Sequence, residues 1–233
     1  MPARPRRPTF RDALKAEHPL VLFGAYDGLS ARLIEQAGCK ALFVSGFSVV
    51  GARYGVPDYG LRAFGDIASA VGDIMQACDL PALVDADNGY GDVKNVVHTV
   101  NQYERLGVGA LILEDQTWPK RCGHIAGKDV VPMREMEAKI RAATSERMDA
   151  ETFILARTDA RTVHGLDDAM RRAERYLAAG ADGIFIEALE TMEELALVGR
   201  AFDVPIMANP LEGGRSPSLR PAEYKELGFS IIG

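Results

Sequence analysis

The sequence predicts an α/β fold, a (β/α)8 barrel of the TIM type. Short β-branched or apolar runs alternate with longer amphipathic segments along the whole chain, the pattern of a parallel sheet covered by helices. Eight such runs occur, at 20–25, 41–45, 82–87, 110–115, 153–158, 183–188, 205–209 and 229–232. They are almost continuously apolar, as strands buried on both faces are. Most of them end in polar groups: Tyr26-Asp27, Ser45-Gly46-Phe47, Asp85-Ala86-Asp87, Glu114-Asp115, Arg157-Thr158-Asp159, Glu187 and Asn209. Barrel chemistry gathers at strand C-termini. An open doubly wound sheet is the alternative, and the strand count and the polar strand ends favour the barrel.

The elements follow in order. Residues 1–9 are basic and no apolar stretch follows them, so they read as a flexible tail rather than a secretory signal. Helical periodicity predicts helices at 93–106, 134–148, 167–179 and 192–202. Leu106-Gly107-Val108-Gly109 and Ala179-Gly180-Ala181-Asp182-Gly183 read as helix C-caps that lead into the next strand. No linker or composition shift divides the chain, so residues 1–233 are expected to form one domain. The sequence stops just after the eighth run, at Ile231-Ile232-Gly233. An eighth helix should follow there, and either further residues or a neighbouring subunit would cover the barrel.

Composition narrows the functional classes. A chain of 233 residues can bury one large core. With 47% hydrophobic and 26% charged residues it matches an ordinary soluble protein. A net charge of −6 argues against nucleic acid as a partner. No apolar run is long enough to span a bilayer, which argues against a membrane protein. Three scattered cysteines suggest no disulfide framework and fit a reducing cytoplasm. Cys39 and Cys78 lie in apolar contexts and are expected in the core.

Cys122 stands in Pro119-Lys120-Arg121-Cys122-Gly123-His124, beside two cations and close to a histidine. Cations beside a thiol favour the thiolate, an arrangement suited to giving and taking a proton. A buried, inert cysteine in a basic loop is the bland alternative. Period 2 would send Asp85 and Asp87 to one side of their strand. With Glu114 they would offer a hard-oxygen site suited to Mg²⁺ or Mn²⁺, although a strand-end aspartate such as Asp87 also caps helices. Arg157 can fork onto a carboxylate substrate, or merely balance Asp159 or Glu187. Ser45-Gly46 offers backbone N–H groups as a carboxylate seat, or a simple turn. Lys120 and Arg121 could steer an anion or be solvated.

The motifs Val44-Ser45-Gly46, Pro57-Asp58-Tyr59-Gly60, Asp85-Ala86-Asp87, Glu114-Asp115, Lys120-Arg121-Cys122-Gly123-His124, Ala156-Arg157-Thr158-Asp159 and Glu212-Gly213-Gly214 together resemble the isocitrate lyase/phosphoenolpyruvate mutase superfamily. The resemblance runs from about residue 20 to the end. The Cys-Gly-His loop is similar to the carbon–carbon lyase branch, and the segments 43–48 and 115–120 to its 2-methylisocitrate lyase and 2-alkylmalate lyase group, including petal death protein-like members.

The resemblance implies roles residue by residue. Asp85 and Asp87 would be metal ligands, with Asp58 and Glu114 holding metal-bound waters. Ser45, Gly46, Phe47, Gly123, Glu187 and Asn209 would line the substrate pocket, and Arg157 would bind the substrate. Cys122 would be the catalytic acid, with His124, Arg157 and Glu114 beside it. Phe43 replaces a tyrosine of many lyases, and Phe47 a glycine of the narrower ones. The implied reaction is Mg²⁺-dependent cleavage of a 2-hydroxy di- or tricarboxylate to a 2-oxo acid and a carboxylate, with the base left open among Asp58, Glu114 and metal hydroxide. Phosphonate P–C chemistry, oxaloacetate cleavage and a non-catalytic metal-binding barrel are the alternatives. The family fold also implies a homo-oligomer, a tetramer of two dimers that exchange the eighth helix.

Overall fold

The computed structural model describes residues 7–123, 127–211 and 213–233. Its strands are β1 (Leu20–Val21), β2 (Phe23–Gly24), β3 (Leu42–Val44), β4 (Ala82–Asp85), β5 (Ala110–Glu114), β6 (Phe153–Thr158), β7 (Gly183–Ile186), β8 (Ile206–Ala208) and β9 (Ile231–Ile232). All pair in parallel, in the order β1-β9-β8-β7-β6-β5-β4-β3-β2.

The two ends of that sheet, β1 and β2, are adjacent in the chain. The predicted first strand is therefore one strand broken at Leu22. Its first half pairs with β9, its second half with β3, and this closes the barrel. Leu22 N–H donates to the Ile232 carbonyl at 2.7 Å and Ala25 N–H to the Phe43 carbonyl at 2.8 Å, so the seam is hydrogen-bonded on both sides.

Period 2 sorts the apolar residues into two cores. Leu20, Leu22, Ala41, Leu83, Ala110, Ile112, Phe153, Leu155, Phe185, Met207 and Ile231 fill the barrel lumen. Their alternates, such as Leu42, Val84, Leu111, Ile154, Ile184 and Ile206, face outward into the larger core. The helices after the strands cover that outer layer. They include α2 (Gly28–Gln36), α3 (Gly46–Tyr54), α4 (Phe64–Ala77), α5 (Val93–Arg105), α6 (Met133–Glu146), α7 (Ala160–His164), α8 (Leu166–Ala178), α9 (Met192–Gly199) and α10 (Pro221–Leu227). Gly107 and Gly180 end α5 and α8 with φ of 87° and 107°, the left-handed turn that glycine adopts without a Cβ clash.

Two expectations are corrected. The flexible tail does not extend through residue 9. Thr9 caps α1 (Phe10–Ala16) in a reciprocal box with Asp12, and the Arg7 guanidinium donates to the Met75 and Cys78 carbonyls. Phe10 and Ala13 then enter the lumen core, where the Phe10 ring meets Phe153 at 5.5 Å. Cys39 is half-buried rather than core, whereas Cys78 is buried; all three cysteines are free thiols. Among the described residues no helix is long and apolar enough to cross a membrane.

Candidate active site

Above the lumen core, the next inward positions of the strands carry polar groups. Parallel register sets Glu114 beside Arg157, and the turns after β3, β7 and β8 add Ser45, Glu187 and Asn209. They surround a cavity of about 300 Å³ that Phe43, Phe47, Asp58, Asp85, Lys120, Cys122, Gly123 and Leu211 also line. The structure thus brings together ten predicted site residues from separate elements. Gly46 and Asp87 adjoin the cavity: a Cβ on Gly46 would stand 3.3 Å from Asp85 Oδ2 and 3.7 Å from Asp87 Oδ1. His124, like Glu212 in the last motif, lies outside the described residues.

Asp85 and Asp87 converge, but strand alternation is not the cause. The strand ends at Asp85, although Ala86 N–H still donates to the Ile112 carbonyl and Glu114 N–H to the Asp87 carbonyl. Asp87 enters through a left-handed turn, φ 49°, and its N–H donates to Asp85 Oδ1 at 3.0 Å. A non-glycine residue in that conformation costs of order 1–3 kcal/mol and is often found at functional sites.

Lys120 is not solvated. It is 4% exposed, and its ammonium lies 2.8 Å from Asp58 Oδ2 and 2.6 Å from Asp87 Oδ1. Burial opposes its charge, yet Asp87, Asp85, Glu114 and Asp58 together hold it well above the usual lysine range. One ammonium does not balance these acids. Burial pushes the Asp87 carboxyl up to about 6 despite Lys120, with Asp85 and Asp58 adding to the rise. Glu114 is likewise raised by burial, which Arg157 and Lys120 only partly oppose.

Glu114 Oε1 is buried without a hydrogen-bond donor, whereas Asp87 Oδ1 has the Lys120 ammonium 2.6 Å away. Around the cavity, Lys120 pairs with Asp58 and Asp87, Arg157 with Glu114, Asp159 and Glu187, and Lys128 with Asp159, so these acids outnumber these cations. A surplus of hard oxygens and negative charge fits a divalent cation. Among the described residues no three candidate ligands are already gathered to hold a metal ion, and the Lys120 ammonium lies between Asp58 and Asp87.

Arg157 both faces the cavity and pairs with acids. Asp159 takes its Nε at 2.9 Å and Nη2 at 3.1 Å, Glu187 takes Nη1 at 3.2 Å, and Glu114 lies 3.4 Å from Nε. Burial opposes this charge too, but the three carboxylates outweigh it and fix the guanidinium in its charged form. Behind the barrel wall, Asp115 accepts the Asp159 backbone N–H, Thr158 Oγ1, Tyr176 Oη and Arg172 Nη1 at 2.7–3.1 Å. The sequence reading assigned nothing to Asp115; it faces away from the cavity and seats the segment that carries Asp159.

The cysteine segment lies on this constellation. The Gln116 side-chain amide bonds both the N–H and the carbonyl of Arg121 at 2.9 Å. Gly123 rests on the clamp: a Cβ there would stand 2.5 Å from Arg157 Nη2 and 2.7 Å from Glu187 Oε2. A side chain there would have to displace the Arg157–Glu187 pair, and Cys122, the preceding residue, lines the cavity.

With the cavity described, comparison with known proteins decides the family. Residues 10–233 match the family model described as phosphoenolpyruvate phosphomutase. The chain belongs to the phosphoenolpyruvate mutase/isocitrate lyase superfamily. It is 39% identical to the 2,3-dimethylmalate lyase of Eubacterium barkeri, over 95% of this chain and 76% of that protein. It is 40% identical to the 2-methylisocitrate lyase of Bacillus subtilis, over 96% and 73%. Among solved structures, oxaloacetate acetylhydrolase in complex with 3,3-difluorooxalacetate superposes with a TM-score of 0.92 at 34% identity, over 96% of this chain and 77% of that one. Phosphonopyruvate hydrolase in complex with oxalate and Mg²⁺ does so with 0.84 at 31%, over 95% and 77%.

Proposed function

We propose that this superfamily member is a carbon–carbon lyase that cleaves a 2-hydroxy di- or tricarboxylate, of the 2-alkylmalate or methylisocitrate type, to a 2-oxo acid and a carboxylate. One observation carries the reading: Cys122 lines the same cavity as Arg157 and the acids Asp58, Asp85 and Glu114. Scission of the C–C bond leaves a carbanion that needs a proton. A thiol facing a carboxylate clamp is suited to supply it.

Asp85 and Asp87 would hold Mg²⁺ or Mn²⁺, with Asp58 and Glu114 around them, in keeping with the magnesium recorded in a solved relative. When bound, the cation supplies Lewis-acid polarisation of the substrate's 2-hydroxyl and adjacent carboxylate. Arg157 and the Ser45-Gly46 backbone hold the end that becomes the 2-oxo acid. Asp58 or Glu114 takes the hydroxyl proton, the oxygen electrons form the new C=O bond, and the C–C pair leaves on the second carboxylate fragment. Cys122 protonates that carbanion, and the thiolate recovers the proton before the next turnover. Gly123, packed on Arg157, keeps water from that side of the bond. Phe43, Phe47 and Leu211 offer an apolar wall to an alkyl substituent; Phe47 is 58% exposed.

The test is incubation with Mg²⁺ and 2-alkylmalates, methylisocitrate, isocitrate, oxaloacetate or phosphonopyruvate. A 2-oxo acid and a carboxylate from an alkylmalate or methylisocitrate are expected. Turnover of phosphonopyruvate alone, with release of inorganic phosphate, would overturn the reading. Oxaloacetate cleavage is the second reading, favoured by the likeness to the acetylhydrolase.

The same reading implies a homo-oligomer, a tetramer of dimers that exchange a helix. Phe23 on β2 and Leu29 and Leu33 on α2 are 55%, 68% and 56% exposed. An apolar face of this kind marks an interface. Sedimentation of the full-length protein should give an oligomer at micromolar concentration; a stable monomer contradicts it.

A further inference from the structure

Lys128 is a buried cation that the proposed reaction does not use. Its side chain is 3% exposed and its ammonium lies 3.1 Å from Oδ1 of the fully buried Asp159. The same ammonium donates to the Gly123 carbonyl. A loop lysine ordinarily keeps its head in water, and burying it costs several kcal/mol unless it is well paired. Here it turns inward and joins two groups from different parts of the fold: the backbone beside Cys122 and the carboxylate after β6.

Both groups already have fixed neighbours. Asp159 holds Arg157 through two hydrogen bonds and is itself seated on Asp115. Gly123 packs against the ends of Arg157 and Glu187, which a side chain there would displace. On the other side of the thiol, Arg121 is held through both backbone groups by Gln116. Cys122 therefore sits between two pinned residues, one fastened by Gln116 and the other by Lys128. The carboxylate that receives Lys128 is the one that aims the substrate-facing guanidinium.

We propose that Lys128 is a positioning residue for the Cys122 thiol: by bridging the Gly123 carbonyl and Asp159, it sets the proton donor in register with the Arg157 clamp. This rests on the reading of Cys122 as the proton donor. Without Lys128 the Gly123 carbonyl loses this donor and the thiol's backbone is released on one side. Arg157 keeps both bonds to Asp159, so substrate binding persists while proton delivery suffers. A displacement of about 1 Å in a reacting group costs on the order of 10²-fold in rate.

Lys128→Met and Lys128→Arg in the full chain test this with two readouts. The first is the split between kcat and KM on the substrate found with the panel. The second is the rate at which iodoacetamide alkylates Cys122, followed by mass spectrometry of the Cys122 peptide with and without oxalate. In Lys128→Met, kcat should fall on the order of 10²-fold with KM little changed. Cys122 should be alkylated severalfold faster and lose part of its protection by oxalate. Lys128→Arg, which can still donate to both partners, should recover much of each. An unchanged alkylation rate in Lys128→Met overturns the proposal, as does a loss confined to KM. If Lys128→Met does not fold, Lys128→Gln, which keeps a donor for Gly123 but loses the charge facing Asp159, is read by the same criteria. Alkylation needs no turnover. If the wild-type protein cleaves nothing in the panel, the lyase reading fails while the alkylation rates still decide the role of Lys128.

Discussion

Cys122→Ala should lower kcat by about two orders of magnitude or more, the contribution of a positioned general acid, while oxalate still binds. The two effects separate because different groups serve them. The proposed 2-oxo acid end rests on Arg157 and Ser45-Gly46, and none of these needs the thiol. The carbanion of the leaving carboxylate is a poor leaving group until it is protonated, and Gly123 packs against the clamp beside the thiol. Cys122→Ser tests the same step with a hydroxyl, a far weaker acid than a thiol, and should fall nearly as far. Stopped-flow turnover and oxalate titration calorimetry read the two quantities. A Cys122→Ala protein within about tenfold of wild type would make the cysteine a packing residue and return the proton donor to water or another acid.

The barrel was legible in the sequence because its signals are local and repeated. Each strand is a continuous apolar run, and each ends where its chain turns into the site. The C-caps at Gly107 and Gly180 were legible for the same reason, since a left-handed turn after a helix calls for glycine. The break at Leu22 was not. Residues 20–25 read as one strand, and only closure of the barrel requires the two halves to pair with different neighbours. α1 was also missed: seven residues beside a basic tail carry little periodicity, and Phe10 finds its place only against Phe153 inside the lumen.

At the site, the acids and Arg157 announced themselves at strand ends, and the structure places them around one cavity. Its counter-ions did not. Lys120 could steer an anion or be solvated on sequence grounds and Lys128 carries no signal there; only the fold shows each one turned inward among carboxylates. Asp115 read as part of the acid pair Glu114-Asp115, yet successive strand residues face opposite sides. Glu114 faces the cavity, and Asp115 faces Arg172 and Tyr176 behind it. The strand period does not account for Asp85 and Asp87 lying on one side, since a left-handed turn brings Asp87 in.

Removing divalent metal should abolish turnover, and Mg²⁺ should restore it. The acids make a second, activity-free consequence testable. Asp87 has its pKa raised by burial to about 6 from an ordinary value of 3.8. In the metal-free protein the folded state therefore keeps a proton that the unfolded chain has released. This contribution to stability is fully present below about pH 4 and is lost as pH rises through 6. Above that range the folded protein carries an ionised Asp87 among Asp85, Asp58 and Glu114, with Lys120 as a partial counter-ion. A divalent cation bound by Asp85 and Asp87 would remove that penalty, and protons would compete with it at lower pH. The rise in Tm on adding Mg²⁺ should thus be larger at pH 7.5 than at pH 5. Asp87→Asn, which cannot ionise, should flatten both the metal-free pH dependence and the Mg²⁺ response. Differential scanning calorimetry at the two pH values, with EDTA or Mg²⁺, measures this without any substrate. Full turnover in EDTA would remove the metal from the mechanism. An equal Tm rise at both pH values would remove Asp87 from the metal site and leave Asp85, Asp58 and Glu114 as the remaining carboxylates.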